Sequence, residues 1–347
     1  TGDLVSGTSI EMKNGDIYIR APEITLEKGS RLLAHVREDS AYTAGDITLE
    51  AVNEVESSTF RSPYENEGAE AKITIDGATI KGGDITITAK AGDVNSDEDS
   101  PSILENWTIE ELKTIVSDSF SLPVALMVKR ADATVKIDGS AAAQTEISGS
   151  GSVDISAVSS ADGTVKAISG GIDPVTNNPV LNVFSVGYSK AEATAKVEVG
   201  SDVAINAQQD VSLLSDASAT ASVTARTSQN LGAAPSSRNN VAVSLAIAKS
   251  STTSHAILAD GSSVTAAGSI DVDARGKNVN IASAETGTYD DGLAGVAVGL
   301  GFSNADIKAR VDGNLESRGS GIGVTAELEA KEVTSGVAGI RGDPLVK

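Results

Sequence analysis

Gly83-Asp84-Ile85-Thr86-Ile87-Thr88-Ala89 decides the reading of the chain, because it returns in altered form along its whole length. Gly45-Asp46-Ile47-Thr48-Leu49-Glu50-Ala51, Gly151-Ser152-Val153-Asp154-Ile155-Ser156-Ala157 and Gly268-Ser269-Ile270-Asp271-Val272-Asp273-Ala274 are the same unit. Each alternates apolar and polar residues, so Ile, Val or Leu falls on one strand face and Thr, Asp or Ser on the other. The first apolar residue of this strand falls at Ile17, Ile47, Ile85, Val153, Val211, Ile270 and Ile322. The steps between them are 30, 38, 68, 58, 59 and 52 residues, which sets a unit near 60 residues in the second half.

A second strand type precedes the first and ends in Asp-Gly or a relative of it. It appears as Ala71-Lys72-Ile73-Thr74-Ile75-Asp76-Gly77 and Ala133-Thr134-Val135-Lys136-Ile137-Asp138-Gly139. Later copies are 195–200, 255–261 and 307–313. A third type, rich in small and β-branched residues, covers 180–188, 241–248 and 294–302, and each copy runs on into an Asp-Gly strand. One half-apolar strand cannot bury its face alone, whereas stacked copies form a continuous inner column. Asp-Gly and Gly-Asp supply corners, where positive φ is often needed. The expected architecture is a closed, all-β, parallel β-helix (β-solenoid) over 1–347, one segment of a longer protein. A stalk of stacked β-sandwich repeats, stabilised by Ca2+, is the alternative fold.

Composition agrees with narrow stacked layers. The 347 residues include four Phe, five Tyr and one Trp, and much of the apolar content is Ala and Val. The net charge of −21 argues against nucleic acid or anionic lipid as partner, since binding phosphates needs clustered Lys and Arg. With no cysteine, disulfides, Cys-ligated zinc and thiol nucleophiles are excluded. No apolar run is long enough to span a membrane as a helix, so this segment is not expected to insert.

Insertions break the repeat. Polar or turn-rich stretches at 56–70, 228–240 and 284–292 read as loops, and 170–179 is rich in Gly, Asn and Pro. Within 101–120 the period becomes helical. Thr108 and Glu111 form a capping box, and Ile109, Leu112, Ile115 and Val116 share one side, predicting one short lateral α-helix. Trp107 stands just before the cap.

Chemistry-bearing patterns are few. GxSxG, HExxH and P-loop motifs are missing, and His35 and His255 sit in unrelated strand contexts. Gly82-Gly83-Asp84 shares two residue types with calcium β-roll repeats but lacks their nonapeptide pattern. Candidate metal ligands are Asp97, Glu98, Asp99, Asp290 and Asp291, on loops that could offer oxygens to a hard cation. Ca2+ is therefore the one cofactor candidate. Trp107 and Tyr289 are candidate ligand-binding aromatics, and Arg341, Gly342 and Asp343 spell an integrin-binding tripeptide. Outward acids such as Asp154, Asp271 and Asp273 keep a polysaccharide lyase or hydrolase open as an alternative. No set of acids, bases and stacking aromatics converges, so the chain is read as non-enzymatic.

From 131 to 157, 191 to 219 and 250 to 283, the strand–Asp-Gly–strand units ending in Ala resemble the repeat regions of large bacterial exoproteins and adhesins. They are similar to filamentous haemagglutinin and to biofilm-matrix adhesins, and the resemblance covers most of the chain. It implies a right-handed β-helix, export to the bacterial surface or beyond, and attachment to cells, matrix or exopolysaccharide. An elongated monomer is the expected form. The unequal periods and the 101–120 insertion depart from the simplest such repeats.

Overall fold

The computed structural model describes residues 2–4, 8–12, 15–34, 44–56, 68–94, 124–169, 171–172, 179–180, 184–228, 241–289, 294–319 and 321–341. Their strands wind through seven coils of three strands each. The first coil holds β1 (Gly2–Leu4), β2 (Ser9–Met12) and β3 (Ile17–Ala21). The second holds β4 (Glu23–Leu26), β5 (Arg31–Ala34) and β6 (Ile47–Glu56), and the third β7 (Ala69–Asp76), β8 (Thr79–Gly82) and β9 (Ile85–Val94). β10 (Val124–Asp138), β11 (Thr145–Gly149) and β12 (Val153–Ser169) make the fourth. A two-stranded antiparallel hairpin follows, β13 (Gly171–Ile172) with β14 (Pro179–Val180). The fifth coil is β15 (Phe184–Val199), β16 (Val203–Ala207) and β17 (Val211–Ser228). The sixth is β18 (Val241–Leu258), β19 (Ser263–Ala266) and β20 (Ser269–Tyr289), and the seventh β21 (Ala294–Val311), β22 (Asn314–Ser317) and β23 (Gly321–Arg341).

Corresponding strands pair in parallel, giving three seven-stranded sheets. Sheet I contains the first strand of every coil, sheet II the short second strand and sheet III the third. This is a parallel β-helix, not a stack of antiparallel sandwiches. No α-helix occurs among the described residues, and the helix expected at 101–120 falls outside them.

Repeat positions from the sequence coincide with the register. Ile17, Ile47, Ile85, Val153, Val211, Ile270 and Ile322 form one unbroken column in sheet III. The Asp-Gly strands align likewise in sheet I, with Ile75, Ile137, Val199, Leu258 and Val311 in register. Sheet II is marked in the sequence only at its second strand, where Leu33 and Ala34 belong to the strand context of His35. Its column is Ile10, Leu32, Ile80, Ile147, Ile205, Val264 and Leu315. Its strands have only four or five residues each, too few to show a period.

Coils widen along the axis. Sheet I strands lengthen from 3 residues in β1 to 18 in β21, and sheet III strands from 5 in β3 to 21 in β23. The added length lies at the start of each sheet I strand and the end of each sheet III strand. There the two sheets face each other directly, without sheet II between them. Large aliphatics such as Ile24, Leu26, Ile47, Leu49 and Ile85 fill the three-sided part, each fully buried. The two-sheet part is filled by small residues, among them Ala191, Ala193, Ala219, Ala221 and Ala248. Its gap is narrow enough that a Cβ on Gly299 would lie 2.5 Å from the Ser335 carbonyl oxygen.

Hydroxyls cross this gap. Ser159 donates to the Ala131 carbonyl (2.7 Å), Ser189 to that of Gly163 (2.6 Å) and Ser215 to that of Ala195 (2.8 Å). Buried carbonyls already in a ladder have a second lone pair to accept such bonds. Asn280 does the same with two strands, donating Nδ2 to the carbonyls of Phe302 (2.7 Å) and Ala248 (3.1 Å).

Three expected loops need correction at their edges. Within 284–292, residues 284–289 continue β20, because Ala284 and Thr286 keep the inward alternation and are buried. Glu56, Ala69, Glu70 and Ser228 are strand residues, while 57–67 and 229–240 lie outside the described residues.

Candidate functional surfaces

The corner between sheets II and III carries the Gly-Asp motif and explains it. The Asp46 amide donates to Asp16 Oδ1 (2.9 Å), the Asp84 amide to Asp46 Oδ1 (2.9 Å) and the Ser152 amide to Asp84 Oδ1 (2.7 Å). Further along, the Ser269 amide donates to Asp210 Oδ1 (2.6 Å). Each carboxylate thus binds the backbone of the next coil, a charge-assisted bond repeated up the stack. The glycine beforehand makes room for it. A Cβ on Gly151 would stand 1.9 Å from Asp84 Oδ1, and one on Gly268 2.2 Å from Asp210 Oδ1.

Asp154 and Asp271, both exposed, flank this ladder on sheet III. Burial first, then the charges of Asp84 and Asp210, raise the Asp154 carboxyl above the usual carboxylate range. Asp273 bonds Arg275 (3.1 Å). Among the described residues no three His, Cys, Asp or Glu side chains gather in a way that could hold a metal ion. Asp97, Glu98, Asp99, Asp290 and Asp291 lie outside the described residues.

The outer surface of sheet I divides sharply in two. Its second half is charged and cross-linked, with Lys196, His255 and Lys308 in one column beside Thr194, Thr253 and Asp306 in the next. His255 Nε2 lies 3.0 Å from Asp306 Oδ2, and Lys308 Nζ lies 2.7 Å from the same oxygen. The lysine bond, followed by His255, lowers the Asp306 carboxyl pKa. The geometry suits a static polar cluster, because Asp306 Oδ2 is shared between the Lys308 ammonium and the His255 ring. Its first half is apolar across four coils. Val124, Val186, Leu245 and Val298 form one outward column, and Leu126, Tyr188, Ile247 and Leu300 the next.

At the step where the coils widen, Lys129 Nζ meets Asp93 Oδ1 at 2.9 Å, and the Arg130 amide donates to Asp93 Oδ2 (3.1 Å). Both side chains are buried. Lys129 holds the inward column continued by Ala191 and Ser250. Nothing in the sequence marked this pair, because Asp93 lies near the end of β9 and Lys129 follows a long insertion.

Of the sequence-derived ligand candidates, Tyr289 and Arg341 are brought together as register partners at the ends of β20 and β23. Trp107, Gly342 and Asp343 lie outside the described residues, as does His35. An open groove lined by Lys81, Gly82, Ser148, Gly149 and Gln208, among others, contains neither an acid nor an aromatic. No helix among the described residues is long and apolar enough to cross a membrane. Comparison with family models, curated proteins and solved structures finds no match for the chain.

Proposed function

We propose that this chain is a shaft segment of a secreted bacterial surface adhesin, serving attachment to cells, matrix or exopolysaccharide. The observation that carries the reading is repetition: seven coils share the same inward columns, and several of their corners are tied by the same carboxylate-to-amide bond. Such a stack resists bending because every coil is hydrogen-bonded to its neighbours along three sheets. Its outer positions carry both charged and apolar columns, which suits a scaffold that displays contacts over a large surface. High negative charge keeps such a scaffold soluble and separated from its copies.

The reading is tested by coating beads with the chain and measuring their retention on bacterial exopolysaccharide and on cultured cells. Retention above an acidic control protein is the expected result. Equal retention on every surface, or release of new reducing ends from acidic polysaccharides, would overturn it, the second in favour of a degrading enzyme.

A further inference from the structure

Among the described residues the core holds no aromatic ring. Phe184, Tyr188 and Phe302 all stand on the outer face of sheet I instead, and Phe302 is 54 % exposed. The charge of that face also departs from a chain of net charge −21. In the last three coils, its outward positions within 184–198, 243–257 and 296–310 carry five cations against three carboxylates, Glu192, Glu198 and Asp306. On sheet III of the same coils, the outward positions within 212–226, 271–285 and 323–337 carry four cations against six carboxylates. Exposed rings and an excess of positive charge therefore coincide on one face.

We propose that this face binds a carboxylate-bearing polysaccharide where its apolar half meets its charged half. The site supplies the ligand class of the adhesin reading and rests on that reading. Lys249 is its centre. Lys190, Lys308 and Arg310 are held by Glu192 (2.7 Å), Asp306 (2.7 Å) and Asp312 (2.7 Å). Lys249 and Lys196 have no ion pair among the described residues. Lys249 is the register partner of Phe302, and Tyr188 lies diagonally from it, about 7–8 Å away between Cα atoms. One outward position further on, Ser251 and Asn304 add a hydroxyl and an amide for sugar hydroxyls. The C–H face of a pyranose ring meets the negative face of Phe302 or Tyr188, and a uronate carboxylate takes a charge-assisted bond from Lys249. β15 and β18 are paired on both sides, so a peptide cannot add a strand here and recognition runs through side chains. The sheet fixes these side chains ~4.8 Å apart from strand to strand, so little freedom is lost on binding.

Titration calorimetry of the full chain with polygalacturonate, and with neutral dextran of similar length, tests the site. Polygalacturonate should bind about tenfold more tightly than dextran and lose affinity as salt is added. Lys249→Gln and Phe302→Ala, both on the outer surface, should each weaken polygalacturonate binding roughly tenfold, with the far-ultraviolet circular dichroism unchanged. Lys249→Arg keeps the charge and should keep the binding, and Lys277→Gln on sheet III should leave it as it was. No binding of polygalacturonate, equal affinity for dextran, or binding indifferent to Lys249→Gln and Phe302→Ala overturns the proposal. The bead assay separates this failure from that of the adhesin reading. Beads held on exopolysaccharide equally well after both substitutions overturn the site alone, whereas beads retained on no surface overturn the adhesin reading and the site with it.

Discussion

Asp84 shows how much one corner residue decides. Its Oδ1 accepts the Ser152 amide, and Gly151 leaves the space in which it sits. Asp84→Ala should lower stability by about 1–3 kcal/mol, because a charge-assisted bond is lost and an amide is left seeking water. Gly151→Ala should cost more than Asp84→Ala, since its methyl would occupy the carboxylate's place, and Gly151→Ala in the Asp84→Ala background should be milder. Chemical denaturation of the four proteins checks the coupling. Asp154 tests the same corner from the other sign. Its raised carboxyl pKa means that the folded chain holds the proton more tightly than the unfolded one, whose value is about 3.9. Stability is therefore lost as pH rises from the unfolded value through the folded one. Asp154→Asn should melt higher than the parent at pH 7, and the difference should vanish below about pH 3.

Strands and their junctions pose a different question, because β10 and β15 are joined to coils of unequal width. Lys129 lies at the start of an inward column that β7 does not reach, and Asp93 meets it from β9. Removing one partner leaves the other charge in the interior without its 2.9 Å ion pair. Asp93→Leu or Lys129→Met alone should cost about 3–5 kcal/mol, whereas the double substitution should recover most of it. Equal costs that simply add would show that the pair is incidental. In the two-sheet region, the small interior residues set the sheet separation. Gly299→Val should force β21 from β23, whose backbone lies in the way, and hydrogen exchange should rise in both strands together.

At the scale of the whole molecule, shape departs from the slender rod suggested by the repeat. Seven coils at ~4.8 Å rise about 30 Å, while a strand of 18 residues runs about 60 Å. The described portion is therefore a tapering slab, broad at its last coils. Small-angle scattering should give a flattened particle, and a scattering profile matching a sphere of the same mass would contradict this packing. Self-repulsion is the other global property. With 48 acids against 27 bases, added salt should raise the melting temperature until screening is complete near a Debye length of ~3 Å at 1 M.

The sequence alone determined the stack and its phase. Period-2 alternation with a recurring Gly-Asp or Asp-Gly is local information, so the columns at Ile17 through Ile322 and at Ile75 through Val311 could be read before any coordinates. Tertiary structure decided what depends on neighbours far along the chain. Sheet II strands are too short to show a period and exist only because the coils above and below supply their hydrogen bonds. Ala, Ser and Gly in the late strands gave no hint of facing a second sheet at close range. The Gly-Asp corner was legible as a turn, but its carboxylate acts across 30 to 68 residues of sequence, on an amide that only stacking brings within reach.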